Sequence, residues 1–175
     1  YDPGQMLRYV AFLRGLNVGG HSVKMEVLRQ HFEGLGFARV STFIASGNVI
    51  FETDDGEPAA LETRIERSLR EALGYEVATF LRTDAEIAGV AAYAPFPDVA
   101  PVDGDTLHIA FLKSAPDDGM RRRIVSLSNP QDRFKLHERE MYWLRRGKLL
   151  ESTVSDAEIA RALGRAPTTM RNANT

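Results

Sequence analysis

The chain has no cysteine among its 175 residues. This absence excludes disulfides, thiolate metal ligands and cysteine nucleophiles. The chain also has no apolar run of 18 or more residues, so we predict neither a membrane-spanning helix nor a membrane partner. Because no signal-peptide pattern is present either, we expect a cytoplasmic protein. The hydrophobic fraction of 43% and the charged fraction of 26% are ordinary for a globular domain.

Catalytic and metal-binding patterns are also absent from the sequence. The four histidines are scattered, and none stands at a metal-ligand spacing from another. Ser46 lies between Ala45 and Gly47, which is not a nucleophile-elbow motif, and no general base can be assigned to it. We therefore predict no metal and no cofactor. No catalytic residue is assigned, so the sequence leaves open whether the protein is an enzyme.

The net charge of −2 conceals an asymmetry along the chain. Residues 1–105 hold 9 basic against 16 acidic side chains, whereas residues 106–175 hold 13 against 8. A basic C-terminal part can attract nucleic acid or an acidic partner, and two oppositely charged halves can also attract each other. Solvated surface faces are the simpler interpretation. Binding of RNA or single-stranded nucleic acid, and self-association, are therefore alternatives that we do not favour, and the oligomeric state stays open.

The first half of the chain predicts the order strand, helix, strand, strand, helix, strand. Two segments carry apolar residues every three or four positions and are predicted as helices, with Ser22 and Pro58 near their starts. Gly47 and Asn48, between two β-rich runs, are typical of a tight hairpin. This βαββαβ order is that of the ferredoxin-like plait. A capping box at Thr83 opens a further short helix.

Three prolines fall within residues 93–104, where they block both helix and sheet pairing. We therefore predict a first ferredoxin-like subdomain over residues 6–92, a linker over residues 93–104 and a second α+β subdomain over residues 105–175. The second half predicts the order βαββα, with a capping box at Ser155 and then a C-terminal tail. The predicted fold class is α+β, with two ferredoxin-like (α-β plait) subdomains, of which the second shows no clear last strand.

The stretch from Arg14 to Gly20 joins the first strand to the first helix. Its glycines let backbone N–H groups approach a ligand, and the helix that follows begins with the positive end of its dipole. In a plait, the hairpin between strands two and three emerges at the same end of the sheet as this loop. We expect the two to be neighbours, separated by roughly two inter-strand spacings of about 4.8 Å.

These two motifs together predict an electropositive, donor-rich pocket for a small anion that bears a phosphate or carboxylate group. Charge would come from lysine and arginine, backbone donors from glycine, and orienting hydrogen bonds from asparagine. The glycine pairs also have a structural interpretation as turn formers, and the loop matches neither the phosphate-binding P-loop nor the dinucleotide-binding fingerprint. The candidate ligand-binding residues are Arg14, Asn17, Gly19, Gly20, Lys24, Ser46, Gly47 and Asn48.

Several of these motifs occur together in a known family. The chain resembles the domain-of-unknown-function 1697 family (DUF1697) of small bacterial proteins at residues 12–20 (FLRGLNVGG), 23–25 (VKM), 35–37 (LGF), 46–51 (SGNVIF), 163–164 (LG) and 168–172 (TTMRN). The resemblance covers nearly the whole chain from about Leu7. It implies a pair of ferredoxin-like subdomains, and no established activity, substrate or cofactor.

On the same resemblance we add Arg171 and Asn172 to the candidate ligand-binding residues, although a structural role in the N-terminal turn of a helix beside a subdomain interface explains them equally well. Family members usually carry a tryptophan between the two C-terminal asparagines, where this chain has Ala173. Their final helix also generally continues beyond that point. If that helix closes over the N-terminal pocket, this protein has a more open site.

Overall fold

The structure is a computed structural model that describes residues 4–44, 47–148 and 153–175. It divides into two compact units, Tyr1–Gly89 and Val90–Thr175. We call them the first unit and the second unit. None of the helices in these described ranges combines the length and the apolar character that a bilayer crossing requires.

The first unit is a four-stranded antiparallel sheet with two long helices. The sheet order is β2-β3-β1-β4, as expected for the ferredoxin-like topology. The elements are β1 (Leu7–Arg14), α1 (Met25–Gly34), β2 (Ala38–Phe43), β3 (Asn48–Thr53), α2 (Pro58–Leu73) and β4 (Ala78–Thr83). A short helix, α3 (Asp84–Ala92), follows β4 and contains the boundary between the two units.

Alternation along the strands and helical periodicity place the core between this sheet and its helices. Tyr9 and Ala11 of β1 point to the same face and pack with Leu28 of α1 and Ile65 of α2. Ile65 is completely buried, and Leu69 follows it one turn later. Truncating such a leucine to alanine costs about 2–5 kcal/mol of unfolding free energy. The apolar residues at this helical spacing therefore hold the two helices against the sheet.

The first helix begins later than the sequence predicts. Ser22 was expected to cap it, but α1 starts at Met25, and Lys24 occupies the N-cap position without a side-chain hydrogen bond to the helix. The reason is a longer-range bond, because the side-chain oxygen of Asn17 accepts the backbone N–H of Val23 at 2.8 Å. This bond accompanies a loop that is two residues longer than a cap at Ser22 would give.

The second unit repeats the arrangement of the first. Its sheet order, β6-β7-β5-β8, is again antiparallel throughout. The strands and helices are β5 (Thr106–Leu112), α4 (Asp118–Ser126), β6 (Asp132–His137), β7 (Glu140–Arg145), α5 (Asp156–Ala162) and β8 (Thr168–Asn172). Both predicted capping boxes form, with hydrogen bonds in both directions at Thr83 and Ser155.

The C-terminal residues correct one expectation. They were predicted as a tail after an incomplete plait, but residues 168–172 form β8 and pair with β5. The signal was weak because the strand has five residues and its one large apolar side chain, Met170, is 36% exposed. Backbone pairing with β5, rather than an alternating apolar face, holds it in place.

The segment predicted as a linker is anchored within the second unit. The guanidinium of Arg146 donates to the backbone oxygen of Ala100 at 2.8 Å and to a carboxylate oxygen of Asp105 at 3.3 Å. The other oxygen of Asp105 accepts the backbone N–H of Val102 at 2.9 Å. Desolvation raises the pKa of the Asp105 carboxyl, but the backbone N–H groups of Gly147 and Val102 and the charge of Arg146 outweigh it, so the pKa is lowered. Residues 100–105 are therefore tied to the end of β7.

Candidate functional site

The end of β1 lies directly against the β2–β3 hairpin. The backbone N–H of Leu13 donates to the oxygen of Gly47 at 2.9 Å, and Phe12 stands opposite Asn48 in the strand register. The two motifs are thus closer than the predicted two strand spacings, because β3 itself is the neighbour of β1. We call this end of the first sheet, residues 14–24 with residues 44, 47 and 48, the rim. Ser46, predicted as a site residue, lies outside the described residues.

The loop from β1 to α1 contains a tight turn. The backbone N–H of His21 donates to the oxygen of Val18 at 3.0 Å, with Gly19 and Gly20 at the two central positions. Their φ angles are +61° and +84°, so both occupy the left-handed region that glycine adopts without strain. Nothing lies within 4 Å of where a side chain would begin on either glycine. Their backbones are therefore exposed at the tip of the rim, and their conformation is explained by the turn.

Three further contacts hold this loop in one shape. The side-chain oxygen of Asn17 accepts the N–H of Val23, as described above. The hydroxyl of Tyr75, which follows α2, donates to the backbone oxygen of Leu16 at 2.7 Å. The imidazole of His21 stacks on the ring of Tyr75 with centroids 3.9 Å apart. Asn17 was predicted to orient a ligand, but its oxygen acts within the loop.

Two exposed cations flank the loop. Arg14 is the last residue of β1, and Lys24 precedes the first residue of α1. The bond between Asn17 and Val23 draws the two ends of the loop toward each other. Because no side chain caps α1, its first backbone N–H groups stand at the positive end of the helix dipole beside Lys24. This part of the rim has the charge and the donors that an anion requires.

The hairpin residues have a structural role instead. Asn48 is completely buried, and its side-chain nitrogen donates to the backbone oxygen of Phe43 at 3.2 Å. Gly47 has a φ of +77°, and a Cβ on it would stand 3.3 Å from the side chains of Leu13 and Leu16. Both were predicted to contact a ligand, but they close the hairpin and let it approach β1. The pairing of β3 with β1 directs Asn48 and Gly47 toward the interior. The spacing of residues in the sequence does not predict this orientation.

The rim also carries apolar side chains that the sequence reasoning overlooked. Val18 is 59% exposed in the loop and Ile44 is 58% exposed in the hairpin. Just beyond the rim, Val27 is 49% exposed in the first turn of α1. The available signal was a valine inside a polar, glycine-rich loop and an isoleucine just after a strand. Single exposed apolar residues are common, but two of them on a rim that also carries two cations give it an amphipathic character.

The two residues added from the family resemblance belong to the second unit. Arg171, in β8, is half-buried and donates to the hydroxyl of Thr169 at 2.7 Å and to the backbone oxygen of Met170 at 2.9 Å. Burial lowers the pKa of the Arg171 guanidinium. Asn172 is exposed, and its side-chain oxygen accepts the N–H of Asn174 at 2.9 Å, which ends the strand in a turn.

The aromatic residues of the basic second half are not available as a stacking platform. Tyr142 and Trp143 are neighbours on β7 and therefore point to opposite faces of the sheet. They are 1% and 6% exposed. Trp143 donates its indole N–H to Asp132 at 2.8 Å, while Tyr93 stacks on His137 and packs at a tilt against Tyr142. Nucleic acid would have to bind this half mainly through its cations.

A groove of about 470 Å³ lies between the C-terminal part of α4 and one side of α5 in the second unit. Its charges serve the helices themselves, since the Nε of Arg123 donates to the backbone oxygen of Ala162 at 3.0 Å. Hydrogen bonds from the Ser155 backbone and hydroxyl, together with the charge of Arg161, lower the pKa of the Glu158 carboxyl.

Among the residues that the structure describes, no group of three or more His, Asp or Glu is placed to hold a metal ion.

Comparisons with known proteins agree with this architecture. The family model described as "Protein of unknown function (DUF1697)" matches residues 6–142. The solved structure of the conserved bacterial protein SP0830 from Streptococcus pneumoniae is similar in fold, with a TM-score of 0.71 and 24% sequence identity. The match covers 97% of this chain and 94% of that one. No curated protein matches the chain.

Proposed function

The chain belongs to the DUF1697 family of proteins of unknown function, and because that family supplies no activity, we propose on physical grounds that the protein binds a small organic anion at the rim. The observation that carries the proposal is the pair of exposed cations, Arg14 and Lys24, at the two ends of a loop that its own contacts hold rigid. A preordered loop loses little conformational freedom when a ligand binds, so more of the contact energy appears as affinity.

The first turn of α1 adds backbone donors to this charge. Lys24 leaves those N–H groups without a side-chain cap, and an anion placed there is stabilised by about 0.3–1 kcal/mol through the helix dipole. Glu26 lies in the same turn, but its carboxylate is paired with Arg29. Phosphate and carboxylate groups are the chemistry that such donors accept best.

The apolar side chains favour an organic anion over a bare inorganic one. Val18 and Ile44 are exposed on the two loops that meet at the rim. Each buried methylene of a ligand contributes about 0.8 kcal/mol when it leaves water. A hydrocarbon attached to the phosphate or carboxylate would therefore add affinity that inorganic phosphate lacks.

A thermal-shift titration tests the proposal with inorganic phosphate, butyl phosphate and butyrate as probes. We expect butyl phosphate to raise the melting temperature most. Arg14→Ala and Lys24→Ala should each weaken its binding about tenfold, since a hydrogen bond to a charged group contributes roughly 1.5–3 kcal/mol. Arg67→Ala, which removes an exposed cation on α2 away from the rim, is the matched control and should change nothing. Stabilisation that survives both rim substitutions would reject this site.

Nucleic-acid binding and self-association stay separate predictions, and both depend on the basic second half. Arg122 is the clean probe because it is exposed, whereas Arg121 and Arg123 each donate to a backbone oxygen. If α4 binds a phosphate backbone, Arg122→Glu should weaken single-stranded RNA binding at low salt and reduce its salt dependence by about one ion. Sedimentation at low and high ionic strength tests self-association, which should disappear at high salt.

A further inference from the structure

A serine and a histidine meet between the two long helices of the first unit, away from the rim loop. The Oγ of Ser68, in α2, lies 3.0 Å from the Nε2 of His31, in α1. Both residues are half-buried, so each keeps access to solvent. They are 37 positions apart in the chain, so no local sequence motif contains both. This is the separation at which an imidazole can take a proton from a hydroxyl as its oxygen attacks.

The ring of His31 is suited to accept that proton. Burial lowers the pKa of His31 below its usual value of 6.5. The imidazole is therefore neutral at pH 7 and has one nitrogen with a free lone pair. With the ring hydrogen on Nδ1, that lone pair belongs to Nε2 and faces Ser68. With the hydrogen on Nε2, the imidazole would instead donate to the serine and leave it unactivated.

We propose that Ser68 is an activated nucleophile, with His31 as its general base, that reacts with acyl and phosphonyl electrophiles. In the acyl reaction, Oγ forms a bond to the carbonyl carbon while its proton passes to Nε2 of His31. The bond between that carbon and the leaving oxygen then breaks, and the leaving group takes the proton. Water, deprotonated by the same imidazole, hydrolyses the acyl-serine and restores the hydroxyl.

A fixed positive charge lies one helical turn away. Arg64 precedes Ser68 by four positions on α2, so the two side chains emerge on the same helix face. The guanidinium is held by hydrogen bonds to the backbone oxygen of Leu35 at 2.7 Å and to the carboxylate of Asp55 at 2.8 Å. Because the guanidinium is paired with Asp55 and bonded to the C-cap residue of α1, its assigned part is to tie the end of α1 to α2.

Labelling of the full chain with an alkyl fluorophosphonate, followed by mass spectrometry of peptides, tests the proposal. We expect a phosphonyl adduct on Ser68 that Ser68→Ala abolishes. His31→Gln should slow labelling by about 100-fold or more, because general base catalysis contributes about 10²–10⁴ in rate. Ser126→Ala is the matched control, since that hydroxyl donates to the backbone oxygen of Arg123. Folded protein without a Ser68 adduct, or with equal labelling in His31→Gln, would overturn the proposal.

A second variant covers the case in which His31→Gln disturbs packing. The chain has no cysteine, so Ser68→Cys and Ser126→Cys each introduce one unique thiol. If His31 is a base toward position 68, iodoacetamide should alkylate the first variant at least tenfold faster than the second at pH 7, because the thiolate is the reactive form. Equal rates in the two folded variants would show that His31 does not activate position 68, and the proposal would fail.

Discussion

The rings of His21 and Tyr75 lie almost parallel, 18° apart, with their centroids 3.9 Å from each other. Through this stack, and through the Tyr75 hydroxyl on the backbone oxygen of Leu16, the segment after α2 fixes the shape of the loop after β1. The anion proposal depends on that fixed shape, and Tyr75 is the residue through which it can be changed without touching the cations.

Tyr75→Phe keeps the ring and removes the hydrogen bond to Leu16. We expect the free energy of unfolding to fall by about 0.5–1.5 kcal/mol, the typical net contribution of one such bond. Binding of butyl phosphate should weaken as well, because the loop gains freedom that the ligand must then restrict. Urea titration gives the first quantity and a thermal-shift titration the second. If Tyr75→Phe is destabilised but binds butyl phosphate with unchanged affinity, binding does not depend on the order of the loop, and this prediction is wrong.

Gly47→Ala should destabilise the first unit by about 1–3 kcal/mol, since its backbone is left-handed and its added Cβ would crowd Leu13. The matched control is Gly19→Ala, which has a similarly positive φ of +61° but open space around it. The difference between the two urea midpoints isolates the steric part. Equal losses would mean that the contact between hairpin and strand relaxes without cost.

Ile44→Asn should have opposite effects on stability and binding. Ile44 has a φ of +51°, a conformation that costs a β-branched residue about 1–2 kcal/mol and that asparagine adopts more readily. We therefore expect a rise in melting temperature together with a loss of the added affinity for butyl phosphate over inorganic phosphate. Val18→Ser, at a position with similar exposure, should reduce the affinity difference without the gain in stability.

The stability of the first unit should depend on pH through His31. Its folded-state pKa is lowered by burial, so below about pH 6.5 the unfolded chain takes up a proton that the folded chain resists. The stability that the neutral His31 contributes is fully present above pH 6.5 and is lost as the pH falls toward the lowered pKa of the folded state. Urea titrations between pH 7.5 and 5 should show a fall in the free energy of unfolding that is smaller in His31→Gln. Identical pH profiles would contradict the burial effect.

Much of the topology follows from the sequence for a physical reason. Period-two and period-four apolar patterns specify which faces are buried, and the order of elements then leaves few ways to pair the strands. That reasoning brings the β1–α1 loop to the hairpin. The orientation of Asn48 depends on the strand register, and the start of α1 depends on a bond from Asn17 to Val23 across six positions. Neither can be read from local preferences.

The same distinction explains β8 and the pair of Ser68 and His31. A strand with one large apolar residue pairs because β5 offers it a free edge, not because its own composition demands it. The serine and histidine meet because two helices pack side by side on one sheet. Contacts of this kind form only when the whole fold has assembled. The sequence therefore predicts the order of helices and strands, but not which of these side chains touch.

The indole of Trp143, bonded to Asp132 and stacked on Phe134, is the single tryptophan of the chain. Tryptophan fluorescence, excited at wavelengths that tyrosine does not absorb, therefore originates wholly in the second unit. Following that emission alongside the far-ultraviolet circular dichroism of the whole chain would show whether the two units melt in one transition or in two. It would also reveal whether a ligand that stabilises the first unit leaves the optical signal of the second unchanged.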